Sequence, residues 1–333
     1  MKDASITPSV MESSRLAVLF PGALGDFICC LPSLQVLARR APVEVFARSE
    51  FAAIASENIV VRSLERSEIS RLFTITGAAD EAVRRFFAPY AAVYSWTGSA
   101  QRGFVASLQA VVRGHARVFP FRPDDGTRHQ AEYYFCCVHA ATSDIPLPTI
   151  SISPEAAVWR KKFWQRHSLT HRLVLVIAPG SGCRAKNWPE QYFSSVAQWW
   201  RDHVRGVVVV LVGPVEEERG GFTELSAYGV TVRNIKLARV AALLGGSSMY
   251  LGNDSGITHL AAASGTQTVA LFGPSEPNQW RPRGPKVTVL SRHEECLTCD
   301  GTTSHGCARH RCLAGLEPAA VINALAQLMD NLP

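Results

Sequence analysis

Residues 252–274 read GNDSGITHLAAASGTQTVALFGP, an order of residue types that suits a strand end, a Gly-containing turn, a helix and a second strand. Small residues at a helix entry expose backbone N–H groups, and the helix dipole there favours an anion such as a pyrophosphate. Two other stretches repeat the order, GALGDFICCLP at 22–32 and APGSGCRAKNWP at 178–189. One such turn is a weak signal. Three along one chain suggest two halves of nucleotide-binding type facing each other.

The intervening sequence keeps the same rhythm. Residues 15–20 (RLAVLF) form a buried strand, and Phe27, Leu31, Leu34 and Leu37 then recur at helical spacing up to Pro42. Short strands follow at 43–46, 59–64 and 92–96, separated by stretches that can be helical. This alternation is that of a parallel sheet built from βαβ units. Residues 144–154 (DIPLPTISISP) are punctuated by proline and suit an interdomain linker. The second half restarts with strands at 173–178, 207–212, 249–251 and 268–272. Helices are predicted at 189–204, 216–227, 236–244, 256–264 and 317–329, the first with Phe193, Val196, Ala197 and Trp200 on one face. The domain plan is therefore a disordered tail at 1–14, an N-terminal Rossmann-like domain at 15–152 and a C-terminal one at 153–333. The latter carries a Cys-containing loop at 293–312 and the closing helix 317–329.

Composition narrows the function class. A chain of 333 residues with 47% hydrophobic and 19% charged residues can bury a full core in two domains, each of roughly 150 residues. The longest apolar runs are of strand length, so no membrane span is expected. The opening MKDASITPSVMESSR lacks the apolar core of a signal peptide, which places the protein in the cytoplasm. The net charge of +6 includes Arg160, Lys161, Lys162, Arg166 and Arg172. These are either a solvated helix face or an attraction to an anionic inner-membrane surface or glycolipid. A nucleic-acid binder concentrates more charge on one face, so nucleic acid is not an expected partner.

The nine cysteines are an odd count, and the adjacent pairs Cys29-Cys30 and Cys136-Cys137 suit small buried groups of a reducing compartment. Cys296, Cys299, Cys307 and Cys312 have metal-site spacing in a polar loop and are either a structural zinc or iron site or loose loop thiols. The usual dinucleotide and P-loop fingerprints are absent, and so is D-x-D, the usual means of holding a divalent cation against a donor pyrophosphate. Side-chain cations and helix ends must then neutralise such an anion. Lys186 and the helix entered at Asp254-Ser255-Gly256 are placed to do so.

The three stretches resemble glycosyltransferase family 9, the ADP-heptose:lipopolysaccharide heptosyltransferases. The family pattern of a GD-x(5)-LP turn, a K-x-WP turn, a D-[ST]-G-x-x-H-x-A-A helix start and a GP turn is matched in order. Here it reads Gly25-Asp26 to Leu31-Pro32, Lys186-Asn187-Trp188-Pro189, Asp254-Ser255-Gly256-Ile257-Thr258-His259-Leu260-Ala261-Ala262 and Gly273-Pro274. The resemblance implies an α/β GT-B fold, two Rossmann-like domains facing each other across a cleft, with acceptor on the first and donor on the second. It implies inverting transfer of heptose from ADP-heptose to an inner-core or related surface glycan, with no metal or other cofactor required for catalysis.

By the same resemblance Asp26 is the general base, with Gly22 and Gly25 in the acceptor-side turn; the plainer alternative for Asp26 is a helix cap. Lys186 corresponds to the family's donor-phosphate lysine, with Ser181 and Gly182 adding donors to the same anion. Glu216 stands where the family places a ribose carboxylate, although Glu217 and Glu218 adjoin it. Asp254, Ser255 and Gly256 correspond to the donor-binding turn. His259 is either a phosphate contact or a satisfied core histidine, and Trp280 either borders the donor or packs at the surface. The first turn, FPGAL at 20–24, departs from the Ser/Thr-rich turn of better-known members. A Cys loop like 293–312 occurs only in some relatives, including metal-containing ones that modify proteins. The competing functions are therefore a GT-B transferase with another nucleotide sugar or a protein acceptor, and a catalytically silent GT-B scaffold.

Overall fold

The computed structural model describes residues 15–123, 126–139, 145–220, 222–292 and 311–330. Among them are a five-stranded and a six-stranded sheet. The first holds β1 (Arg15–Leu19), β2 (Val43–Ala47), β3 (Ile59–Ser63), β4 (Tyr90–Ser95) and β5 (His115–Val118), in the order β3-β2-β1-β4-β5. The second holds β6 (Val174–Ala178), β7 (Val207–Val212), β8 (Val230–Arg233), β9 (Met249–Asn253), β10 (Gln267–Phe272) and β11 (Val287–Ser291), in the order β11-β10-β9-β6-β7-β8. Every strand pair is parallel. Both orders are those of a doubly wound sheet, in which ligands bind beyond the carboxyl ends of the strands where the winding reverses. In the second sheet that point lies between β6 and β9, with Ala178 opposite Gly252. Two of the three stretches noted in the sequence begin there.

The chain divides into two compact units, neither of them one continuous stretch. One holds the described residues up to Pro21 with Ser33–Ser49 and Glu57–Phe121, and the other holds Gly22–Pro32, Glu50–Ser56 and the described residues from Arg122 onward. The first unit packs Leu19, Phe46, Phe87, Tyr90, Phe104 and Leu108 into its core. At the edge of that core the buried Glu44 accepts the Tyr90 hydroxyl at 2.6 Å and pairs with Arg15 at 3.2 Å. This satisfies a carboxylate that would otherwise be costly to bury.

In the second unit Trp188, Phe193 and Trp200 fill the space against β6 and β7, with Val321 and Leu325 of the closing helix Pro318–Met329 in the same cluster. The helix Glu190–Trp199 begins immediately after Pro189 and buries the face expected from its spacing. It runs into a π turn, Trp200–Val204, that ends at Arg205 with φ of +60°. The single helix predicted at 216–227 is instead two short ones, Pro214–Glu218 and Thr223–Ser226. Gly220 stands between them with φ of +65°, a left-handed conformation that stops an α-helix. No described helix is long and apolar enough to cross a membrane.

The sequence reading finds the interior strands and the edge strand β3 and misses β5, β8 and β11, each of them at a sheet edge. Their burial is incomplete, so they lack the continuous apolar run of a strand covered on both faces.

A buried side chain joins the turns at the sheet's switch point. Asn253, at 0% exposure, accepts the Trp188 backbone N–H at 3.0 Å and donates to the Pro179 carbonyl at 2.7 Å. The Trp188 indole in turn donates to the Leu316 carbonyl at 2.7 Å. Replacing Asn253 by Ala removes two buried hydrogen bonds and leaves a donor and an acceptor without partners, a cost of about 2–4 kcal/mol. We expect Asn253→Ala to lower the unfolding free energy from denaturant titration by that amount; a loss below about 1 kcal/mol contradicts the bracing role.

Candidate active site

The three Gly-containing turns meet within the second unit around a cavity of about 280 Å³. Gly25, Asp26, Gly182, Lys186, Asp254, Ser255, Gly256 and His259 all line it, together with Ala23, Arg122, Cys183 and Trp280. The helices Leu24–Ala38 and Gly256–Ala263 both begin at this cavity. A Cβ on Gly256 would lie 3.0 Å from the Gly25 nitrogen and 2.8 Å from the Leu24 Cβ, the latter closer than real Cβ contacts allow. Glycine is therefore required for the two helix starts to approach each other. Their combined partial positive charge favours an anion.

Asp26 both caps its helix and faces the cavity. One oxygen accepts the Ala23 N–H at 3.1 Å, reaching back from the third helical position as in a capping box. The other accepts Arg122 Nη1 at 2.7 Å. The same Arg122 nitrogen reaches the Tyr134 hydroxyl at 3.2 Å, and the guanidinium lies 4.5 Å from the Trp280 ring centre. Asp26 is thus held at both oxygens while keeping lone pairs for a further donor.

Across the cavity, Lys186 closes the short 3-10 turn Arg184–Lys186 and donates to Asp254 at 2.6 Å. Ser255 has extended backbone and makes no side-chain cap, so the first N–H groups of the helix Gly256–Ala263 are left uncapped by it. Its hydroxyl lies 3.1 Å from Thr258 Oγ1, which donates to the Asn253 carbonyl and stands 2.9 Å from the Tyr250 hydroxyl. This network fixes the turn from behind.

His259, at 4% exposure, forms one wall of the cavity, with Nδ1 at 3.7 Å from Cys29 Sγ. Burial pushes its pKa down to about 4, and the positive charges of His129 and Lys186 add to that effect against the opposing pull of Asp254 and Asp26. The ring is neutral near pH 7. Burial and the neighbouring Asp26 push the Cys29 thiol well above its ordinary range, so it keeps its proton.

Gly22, Ser181 and Glu216 do not line this cavity. The Ser181 hydroxyl is committed inside its own turn, 2.6 Å from both the Cys183 carbonyl and Asn187 Oδ1. Glu216 is singled out from its neighbours, since its carboxylate accepts the Gly213 N–H at 3.1 Å and folds against Gly180, where a Cβ would stand 2.2 Å from Oε1. Glu217 and Glu218 are exposed. Cys296, Cys299 and Cys307 lie outside the described residues, as does the tail at 1–14, while Cys312 is buried in the core cluster beside Leu313 and Leu316.

Sequence reasoning passed over Arg122 and Asn253. Arg122 follows a Pro- and Phe-rich stretch with no recognisable motif and meets Asp26 from 96 positions away. Asn253 adjoins Asp254, and its burial at the strand end was the available signal.

Two doubly wound parallel sheets with glycine-lined helix starts at a switch point are the architecture of the GT-B fold. The chain belongs to glycosyltransferase family 9 (heptosyltransferase), whose family model matches residues 100–308. It is 24% identical over 281 residues to lipopolysaccharide heptosyltransferase 2 of Escherichia coli strain K12, covering 80% of this chain and 77% of that protein. The solved glycosyl transferase family 9 protein from Veillonella parvula DSM 2008 matches with a TM-score of 0.77 at 20% identity, over 96% of this chain and 98% of that one. The E. coli heptosyltransferase WaaC, solved with ADP-2-deoxy-2-fluoro heptose, matches with a TM-score of 0.61 at 19% identity, over 94% of this chain and 99% of that one. At these identities the structural likenesses show the fold.

The lowered His259 pKa has a consequence for stability. Between pH 6.5 and about 4 the unfolded chain binds a proton at this site that the folded chain does not. The associated stability is fully present above the unfolded value and is lost as pH falls towards 4. The whole contribution is about 3 kcal/mol. We expect His259→Gln to flatten this part of the acid limb in denaturant titrations. An acid limb of unchanged slope in the variant contradicts a buried neutral His259.

Proposed function

We propose that the chain transfers heptose from ADP-heptose to a hydroxyl of a lipopolysaccharide inner-core acceptor, with inversion at the anomeric carbon. The observation that carries this reading is the convergence of a carboxylate, a lysine and two helix N-termini on one cavity. Membership of the heptosyltransferase family gives that chemistry its substrates. Two of the similar proteins are heptosyltransferases of known name, one of them solved with an ADP-heptose analogue.

Asp26 accepts the proton of the acceptor hydroxyl as the oxygen attacks the anomeric carbon. The bond to the pyrophosphate oxygen breaks, and ADP leaves carrying the electron pair. Lys186 and the N–H groups at Ser255 and Gly256 stabilise the charge that develops on the pyrophosphate. Asp254 shares Lys186 with the donor and orients sugar hydroxyls, while Gly182 offers a backbone N–H to the same anion. Neutral His259 adds a ring N–H. Ser181 acts by shaping its turn, and Glu216, set against the Gly180 turn, accepts the ribose hydroxyls. Arg122 is a positioning residue that holds Asp26 by one oxygen, and Gly22 and Gly25 let the first turn approach the acceptor. The glycolipid acceptor sits in an anionic membrane surface, which the cations Arg160, Lys161, Lys162 and Arg166 of the helix Pro154–Arg166 would meet on the cytoplasmic face.

Asn is the informative substitution at position 26, because its single carbonyl oxygen keeps one of the two bonds, from Ala23 or from Arg122, while the side chain loses the capacity to take a proton. We expect Asp26→Asn to lower kcat by about a thousandfold with ADP affinity within about threefold of wild type. Activity near wild type excludes Asp26 as base. Lys186→Ala should weaken ADP binding and lower kcat/KM by about two to three decades. Unchanged ADP affinity in calorimetric titration contradicts the phosphate role.

A further inference from the structure

We propose that Cys29 is a positioning residue: its S–H donates to Nδ1 of His259 and thereby holds the ring in the tautomer that presents Nε2–H to the cavity. Cys29 lies on the helix Leu24–Ala38, one turn after Asp26, and is 3% exposed. Its sulfur is 3.7 Å from Nδ1, a normal distance for a hydrogen bond involving sulfur. The opposite edge of the ring faces Gly25, where a Cβ would lie 3.3 Å from Cδ2 and 3.7 Å from Nε2. Gly25 itself lines the cavity. Among the described residues Nε2 has no hydrogen-bond partner in the protein.

A neutral imidazole has one N–H and one lone pair, and the partner of one nitrogen selects the role of the other. Sulfur is a weak acceptor, so an Nδ1–H tautomer would waste its donor on Sγ and aim the Nε2 lone pair at an anion. A thiol kept protonated by burial supplies the donor that Nδ1 needs. A thiolate–imidazolium pair is excluded because burial opposes the charge on both groups. The arrangement is the neutral counterpart of the carboxylate–histidine pairing found behind many reactive imidazoles. Only its effect on donor binding rests on the heptosyl-transfer reading; the tautomer itself does not.

The test is a long-range 1H–15N spectrum of the full chain labelled with 15N-histidine at pH 7.5, with His259 assigned by the signal lost in His259→Gln. A protonated Nε2 and an unprotonated, hydrogen-bonded Nδ1 are expected. A protonated Nδ1 overturns the proposal and needs no variant to be read. Cys29→Ala should convert the ring to a tautomer mixture and weaken ADP binding roughly fivefold to tenfold. Cys29→Ser, which keeps a donor, should restore both. An alanine variant with the wild-type tautomer overturns the positioning role. A chain inactive towards ADP-heptose that still shows the Nε2–H ring refutes the transfer reading and leaves the tautomer assignment standing.

Discussion

The close approach of Gly25 and Gly256 is the constraint on which the cavity depends. Two helix N-termini repel each other, and a side chain at Gly256 would keep them apart. The protein offsets that repulsion with a carboxylate at each helix start, Asp26 within the first turn of one and Asp254 just ahead of the other. Each carboxylate is then balanced by a cation from a distant part of the chain, Arg122 at 2.7 Å and Lys186 at 2.6 Å. The result is a locally neutral set of charges that a diphosphate can enter by competing for Lys186 and the uncapped N–H groups. In the proposed transfer, donors and dipoles already in place leave little to reorganise when charge moves onto the leaving group.

Rigidity behind the cavity comes from groups that make no contact with it. Asn253 ties the turn after β6 to the end of β9, and Thr258 and Tyr250 hold the helix start from below. Trp188 anchors the same turn to the segment before the closing helix through its indole N–H. These bonds are buried, so each costs more to break than a surface bond of the same length. They fix the turns that carry Lys186 and Asp254.

Much of this was legible in the sequence because it rests on local signals. The three Gly-containing turns, the apolar interior strands and the helix face carrying Phe193, Val196, Ala197 and Trp200 all show in residue spacing. The family pattern named Asp26, Lys186, Asp254 and His259, and all four border one cavity. The edge strands β5, β8 and β11 escaped notice because water replaces the apolar neighbours that would reveal them, and Gly220 divides the helix expected at 216–227. Arg122 was invisible for a different reason, since its role comes from a pairing across the fold that no local pattern encodes. Cys29 read as a small buried group, and only its distance to Nδ1 gives it a partner.

The most direct test of the central claim is calorimetric titration of the full chain with ADP, UDP, GDP and dTDP in the presence of a chelator. Selective binding of ADP, lost in Lys186→Ala, is the predicted result. Preference for another nucleotide, or binding of none, would contradict the account of this cavity as the site of an ADP-heptose donor.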